Sequence, residues 1–410
     1  MSALLHRALG LLSGPAVGPP RTAIELAGFD RPELLFSLFP SLELTNTLRQ
    51  NGYTHFRYFC ALPSYKKPRW LLPIGASRGM LAATGIYLPH RWTARILKSL
   101  LIGTLKAGWD SWLRSRVLIA SKGPLPLEVL IRDITGEERP IFALSFGRQP
   151  IFRKLTIQVM SPTGKILGYM KLPLTDAAGE RVRNEATVLQ QLWNFPVLRP
   201  RIPRVLYAGD WNQSYLLFQS PLEGEAGPLC FDGIHQQFLQ TLWAVRLVEK
   251  PGQRLIGEIA AKWERAVPFL DGKWRELGQE ALRRSTCDFS DKTLRFGVMH
   301  GDFAPWNTRV WQSELLLFDW ESADLEAPTS WDMFHFQVQT AASFRKASCS
   351  IEVHPSDEAS FMLYLLSSVC QYLEEGNHEA IGYRQKLLLR QLHKSQGLKG
   401  ARLTNHAQTA

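Results

Sequence analysis

The chain has 410 residues, of which 45% are hydrophobic and 21% charged, and carries a net charge of +11. That length exceeds what one hydrophobic core usually serves, so two or three domains are expected. The composition is that of a folded globular protein and excludes a disordered or fibrous one. No stretch approaches the roughly 18 uninterrupted apolar residues of a spanning helix. The apolar run Ala8–Leu12 behind His6-Arg7 is too short for a secretory signal. The expected location is the cytoplasm, with peripheral attachment to a membrane as its variant.

Cys60, Cys230, Cys287, Cys349 and Cys370 are scattered and odd in number. They match neither a zinc spacing nor a disulfide framework, so free thiols are expected. The positive charge is uneven: residues 1–140 hold 18 Lys and Arg against 9 Asp and Glu, which leaves only +2 for the remainder. Between Glu43 and Asp110 there are ten basic residues and no acidic one. Such a run suits an anionic partner surface, and it equally suits an ordinary solvated face. No specific nucleic-acid partner is expected.

In chain order, residues 1–40 are rich in Pro, Gly and Leu without a period and read as a loosely packed lead-in. Tyr53–Leu62 alternates as a strand, and Pro63, Pro68 and Pro73 then break the chain. From Arg91 to Val117 the period turns helical, with Leu97, Leu100, Leu101, Leu105 and Trp112 on one side and Arg91, Arg95, Lys98 and Lys106 beside them. This basic amphipathic helix either packs on its own domain or meets an anionic membrane surface, the partner expected for residues 44–117. Gly123-Pro124 and Pro126 mark a boundary.

Beyond it, Ile141–Ser145 and Lys154–Met160 read as strands around a loop, and a turn at Ser161–Gly164 leads to a third strand, Ile166–Lys171. Thr175 or Asp176 caps a helix running to Trp193, and short strands follow near 204–208 and 215–218. From Gly233 helical patterns dominate, over 233–248, 257–284, 356–375 and 377–395, with short strands near 294–299, 309–311 and 315–319. The reading divides the chain into a basic region of unknown role (1–137), a small strand-rich lobe (138–222), a helical lobe (223–395) and a frayed tail (396–410).

The chemistry concentrates in Val298-Met-His-Gly-Asp-Phe-Ala-Pro-Trp-Asn307 and Leu315-Leu-Leu-Phe-Asp-Trp-Glu321. Phosphoryl transfer needs an oriented nucleophile, a metal bridging phosphate oxygens and positive charge on the developing anion. Asp302 at a loop start suits the first need. Asn307 and Asp319, an amide oxygen and a hard carboxylate brought together by a hairpin near Gln312-Ser313, suit magnesium.

His300-Gly301-Asp302 with Asn307 five residues on, followed by Asp319-Trp320-Glu321, resembles the aminoglycoside phosphotransferase and choline-kinase branch of the protein-kinase-like superfamily. The resemblance implies an α+β, bilobal kinase-like fold, with a small antiparallel-sheet N-lobe and a mostly helical C-lobe behind an additional N-terminal region. It implies ATP and Mg2+ as cofactors and a small-molecule hydroxyl (sugar, amino alcohol or aminoglycoside-like) as acceptor. It further implies Lys171 as the nucleotide-binding lysine, Glu185 as its partner, Gly147 in the phosphate loop, the stretch Leu216–Gly224 as hinge strand, and Asp302 as catalytic residue. Asn307 and Asp319 become the metal ligands, His300 and Asp332 structural supports. The likeness covers roughly residues 140–395. The chain departs from it in a phosphate loop with a single glycine, where Arg148 or Arg153 either adds charge or is a solvated loop residue, and in Trp306 before Asn307. Glu321 is either a second metal ligand or a surface residue. The alternative function is a non-catalytic nucleotide-binding or scaffold protein; no Ala-Pro-Glu segment follows Asp319, which ranks protein kinase activity lower.

Overall fold

A computed structural model describes residues 34–38, 42–64, 68–75, 77–86, 92–107, 116–147, 149–212, 214–344, 351 and 353–406, with the backbone alone at 34–38, 42, 77, 92–95 and 395–406. The chain forms two units, one ending at Asn194 and resuming over Ile202–Glu223, the other made of Phe195–Arg201 and everything from Gly224. The fold is the expected α+β one, a sheet-built N-lobe and a mostly helical C-lobe.

The first unit contains β1 (Leu34–Leu38), α1 (Leu42–Gln50), β2 (His55–Leu62), β3 (Trp70–Pro73), α2 (Ser77–Ala83), α3 (Trp92–Lys106), β4 (Arg116–Ser121) and α4 (Pro126–Thr135). It continues with β5 (Ile141–Phe146), β6 (Lys154–Met160), β7 (Ile166–Pro173), α5 (Asp176–Leu192), β8 (Val205–Trp211) and β9 (Ser214–Gln219). All nine strands join one sheet in the order β1-β4-β2-β3-β5-β6-β7-β9-β8. The division expected at residue 137 falls between α4 and β5, and the sheet runs through it. β3 pairs antiparallel with β5, Trp70 opposite Ser145 and Leu71 opposite Leu144.

Strand alternation explains how both faces are covered. Phe59, Leu71, Phe142, Leu144, Ile157, Leu216 and Phe218 point to one side, where Leu127 and Ile131 of α4 complete the core. Their neighbours Leu72, Ala143 and Met160 point to the other, against Ala83 of α2, as does Leu217, against Val182 and Ala186 of α5. α4 starts at Pro126 with its Glu128 carboxylate accepting the Leu125 N–H, and the same carboxylate takes Arg57 of β2 at 2.7 Å. Gly136, left-handed at φ 73°, ends the helix.

The helix expected over 91–117 ends at Lys106, and Arg116 and Val117 open strand β4 instead. Apolar periodicity ran on because β4 is itself a continuously buried strand, which has no polar face to announce it. The leucines of α3 also divide. Leu101 and Leu105 turn inward, whereas Leu97 and Leu100 are 67% and 62% exposed. Trp112, Arg91 and Arg148 lie outside the described residues. So does most of the lead-in, but Leu34–Leu38 forms a strand paired with β4.

The second unit contains β10 (Glu225–Ala226), α6 (Gly233–Val245), β11 (Leu247–Pro251), α7 (Gly252–Ala266), α8 (Gly272–Phe289), β12 (Thr293–Met299), β13 (Thr308–Trp311), β14 (Glu314–Leu317), β15 (Asp324–Pro328), α9 (Trp331–Phe344), α10 (Glu358–Glu374) and α11 (His378–His406). α11 continues past residue 396, where the tail was expected to fray. The single helix expected over 257–284 is two. Pro268 cannot continue the hydrogen-bond ladder, and Asp271 caps α8 by accepting the Trp274 N–H at 3.0 Å. Cys230 is disulfide-bonded, a correction to the expected free thiols; pairing depends on spatial proximity that sequence spacing does not reveal. Cys60, Cys287 and Cys370 are free.

Trp263 of α7 and Trp274 of α8 meet at 5.8 Å between ring centroids, both buried. Gly278 makes room for this, since a Cβ there would lie 2.2 Å from the Trp263 ring. Gly278→Ala should therefore lower unfolding stability by ~1–3 kcal/mol through overpacking, although alanine favours a helix over glycine by ~1 kcal/mol. Urea unfolding of the two proteins checks this, and a more stable variant would contradict the packing.

Candidate active site

In the first unit, β7 carries Lys171 and α5 carries Glu185. α5 is started by Thr175, whose hydroxyl accepts the Ala178 N–H. Both charged side chains are buried, and Lys171 Nζ donates to Glu185 Oε1 at 2.7 Å and Oε2 at 2.6 Å. Two charges removed from water persist only when paired and hydrogen-bonded. The lysine is thereby locked in direction as well as in charge. Gly147 directly follows β5, its N–H donating to Lys154 O at 2.9 Å. A side chain at Gly147 would press on the Lys154 backbone at 3.2 Å, so the glycine permits a close approach of the two hairpin arms. Arg153 stands half-buried at the end of that loop.

In the second unit, β12 delivers the loop His300–Asn307 and the β13–β14 hairpin returns the chain beside it. Thr308 pairs with Leu317, and Trp311 with Glu314. The two-residue turn between them, Gln312 and Ser313, is left-handed at both positions (φ 49° and 64°), the geometry that suits the twist of a tight hairpin. The Phe318 N–H then donates to Asn307 O at 3.1 Å, which sets Asp319 next along the strand exit. Asp319 is also left-handed, at φ 70°, and a carboxylate oxygen of Glu321 lies within 4.8 Å of one of its own. Segment 195–201 braces the hairpin: Arg201 O accepts the Leu317 N–H at 2.9 Å and its guanidinium pairs with Glu314 at 2.5 Å.

Each loop residue has its place. Asp332, in the first turn of α9, accepts the His300 N–H at 2.7 Å and the Gly301 N–H at 3.0 Å. Gly301 has φ 78°, and a Cβ there would fall 2.1 Å from Ser322 O, so no other residue fits. Phe303 is fully buried among Phe238, Phe336 and His235 and anchors the loop from below. Asn307 Nδ2 donates to both Asp302 Oδ2 (2.8 Å) and Asp302 O (2.9 Å). With both amide hydrogens committed, the carbonyl oxygen is the end of Asn307 that remains to meet a cation. An amide oxygen and the Asp319 carboxylate are the hard donors that a magnesium ion takes. The residues present therefore fit that ion.

His300 is fully buried. Its Nε2 lies 3.1 Å from Phe318 O and donates to it, and its Nδ1 accepts the Asp302 N–H at 3.2 Å. Both nitrogens are used by a neutral ring. Burial pushes its pKa below the usual histidine value, against the opposing pull of Asp332 and Asp302. Burial also pushes Asp332 above the usual carboxylate range, opposed by His300 and by the two backbone donors.

Sequence reasoning missed helix α9 and, with it, His335, whose Nε2 lies 3.2 Å from Asp302 Oδ1. The signal was available: once Asp332 is placed on a helix, residue 335 falls on the same face. Trp306 is partly buried.

No protein-family model and no curated protein matches the chain. The structural neighbours are aminoglycoside phosphotransferases. The GDP complex of aminoglycoside 2'-phosphotransferase-IIIa is 14% identical, with a TM-score of 0.44, covering 66% of this chain and 98% of its own. APH(4)-Ia is 13% identical at a TM-score of 0.47, over 65% and 98%. A thermostable mutant of it, in a ternary complex with ADP and hygromycin B, is 14% identical at 0.46, over the same shares. Similarity at this level carries no inference about what this chain acts on.

His300 and the buried His235 both have folded-state pKa values lowered by burial. The stability they contribute is complete above the unfolded value of about 6.5 and is lost as pH falls through the folded values, at ~1.4 kcal/mol per pH unit for each proton. Urea midpoints between pH 7.5 and 5.5 should therefore fall on acidification. In His300→Gln the fall should be shallower by about one proton. An unchanged slope would place the protonation elsewhere.

Proposed function

We propose that the chain is an ATP- and magnesium-dependent phosphotransferase that moves the γ-phosphate to a hydroxyl of a small molecule. Asn307 carries this reading: an amide with both donors spent on Asp302 and its oxygen left for a cation couples a base to a metal position. Asp302 orients the acceptor hydroxyl and receives its proton as the oxygen–phosphorus bond forms and the bond to the β-phosphate oxygen breaks. Asn307 and Asp319 would hold the nucleotide-bound magnesium, whose charge offsets that of the phosphates. Lys171, aimed by Glu185, would meet the α- and β-phosphates. The acceptor class of sugars, amino alcohols or aminoglycoside-like compounds rests on the sequence resemblance. Turnover separates this reading from that of a non-catalytic nucleotide-binding scaffold. Asp302→Asn should reduce ATP consumption, assayed with a panel of such alcohols, on the order of 10²–10⁴-fold while nucleotide still binds. Asp319→Ala should abolish magnesium-dependent nucleotide binding in calorimetry. Wild-type behaviour in both variants would sink the assignment.

A second reading concerns residues 44–117. Ile96, Leu97 and Leu100 project from α3, and Lys98 and Lys106 lie on the same helix. Among the described residues no helix is long and apolar enough to cross a membrane, so attachment there would be peripheral. We infer that this helix meets an anionic membrane surface. Co-sedimentation with phosphatidylserine vesicles should be strong at low salt and fade toward ~0.15 M, where screening acts over about 8 Å. Lys98→Glu with Lys106→Glu should weaken it and leave ATP affinity alone. No binding at any salt would end this reading.

A further inference from the structure

We infer, resting on the phosphotransferase reading, that His335 is the positioning residue that fixes the plane of the Asp302 carboxylate. A carboxylate can only accept, so the ring nitrogen 3.2 Å from Asp302 Oδ1 must carry hydrogen and donate. Asp302 is then held at both oxygens, Oδ2 by Asn307 at 2.8 Å and Oδ1 by His335. Rotation about the terminal bond of an aspartate is otherwise soft, and one anchor would leave the carboxylate free to swing. Two anchors on opposite oxygens leave one plane. The Asp302 side chain is nevertheless 36% exposed, so one edge stays open to an arriving hydroxyl.

His335 is itself held from behind. It is buried, and the Tyr364 hydroxyl lies 3.3 Å from its Nδ1. With Nε2 given to Asp302, Nδ1 is the acceptor and the Tyr364 hydroxyl donates to it, while the Gln339 amide nitrogen beside the ring donates to Tyr372 Oη instead. Behind these stands Arg384, buried, with its guanidinium 4.1 Å over the Tyr372 ring and its Nε donating to Ser368 at 2.8 Å. The ring orientation is thus set by α10 and α11, far along the chain from the loop. His335 also follows Asp332 by three positions on α9. One turn of that helix therefore grips three consecutive residues, the backbone of His300 and Gly301 through Asp332 and the side chain of Asp302 through His335.

Two substitutions in the full chain test this, His335→Leu, which removes the donor, and His335→Gln, which keeps one. Steady-state ATP turnover of His335→Leu should fall on the order of 10–100-fold in kcat, the effect of a misplaced reacting group. The KM for ATP should stay within about twofold, because ground-state binding is untouched. His335→Gln should recover most of the rate. Undiminished kcat in a folded His335→Leu, or equal losses in both variants, overturns the inference. Nitrogen-15 shifts of the imidazole in the wild-type protein supply a readout that needs no turnover and no leucine variant. Nε2 should be protonated, with a shift that moves in Asp302→Asn; a bare Nε2 overturns the inference. Asp302→Asn with wild-type turnover would defeat the phosphotransferase reading instead, and the shifts would still decide the role of His335.

Discussion

Asp332 accepts two successive backbone N–H groups, those of His300 and Gly301, from within the first turn of a helix. A buried carboxylate is costly unless such donors surround it, and buried backbone donors are costly without an acceptor. Each side therefore needs the other, and the loop has little freedom to depart from this shape. Gly301 can then take its left-handed turn against Ser322, His300 can bridge Phe318 and Asp302 with a neutral ring, and Phe303 can drop into its aromatic box. Asp302 emerges where Asn307 and His335 reach it. Asp302 is thus the last member of a series in which each placement presumes the one before.

The first unit solves the same problem with fewer parts. Lys171 and Glu185 are opposite charges brought together on a strand and a helix, and each satisfies the other without a backbone intermediary. Truncating either would break this buried pair, a loss of ~3–5 kcal/mol in comparable cases. Stability and aim are inseparable there. In the second unit they are separable in principle, because Asp302 is partly solvated and its neighbours, not its own burial, give it direction.

Much of this was legible in the sequence. The strands Lys154–Met160 and Ile166 onward, the Thr175-capped helix and the hairpin at Gln312-Ser313 announced themselves through alternation, capping and turn chemistry. Asp302, Asn307 and Asp319 stood close together in the sequence, and the fold joins Asn307 to Asp302 and sets Asp319 at the exit of the returning hairpin. What stayed hidden depended on contacts distant in sequence. β3 and β4 are short or buried on both sides and carry no alternation, so they merged with a proline break and a helical period. The disulfide at Cys230 left no local trace. His335 was invisible because its meaning depends on a helix whose apolar residues surround it on nearly every side, which blurs the amphipathic signal.

The nine-stranded sheet has an implication for how the molecule can be divided. β5 has β3 on one flank and β6 on the other, and its Phe142 and Leu144 share a core with Phe59, Val117 and Ile131 from the first 137 residues. A fragment starting near residue 138 would present the bare rim of β5 to solvent, with unsatisfied amides along it and an uncovered apolar face beneath. Exposed sheet rims of that kind recruit other chains by strand addition. The amino-terminal strands thus act as a built-in guard against self-association, and the smallest autonomous version of this protein includes them.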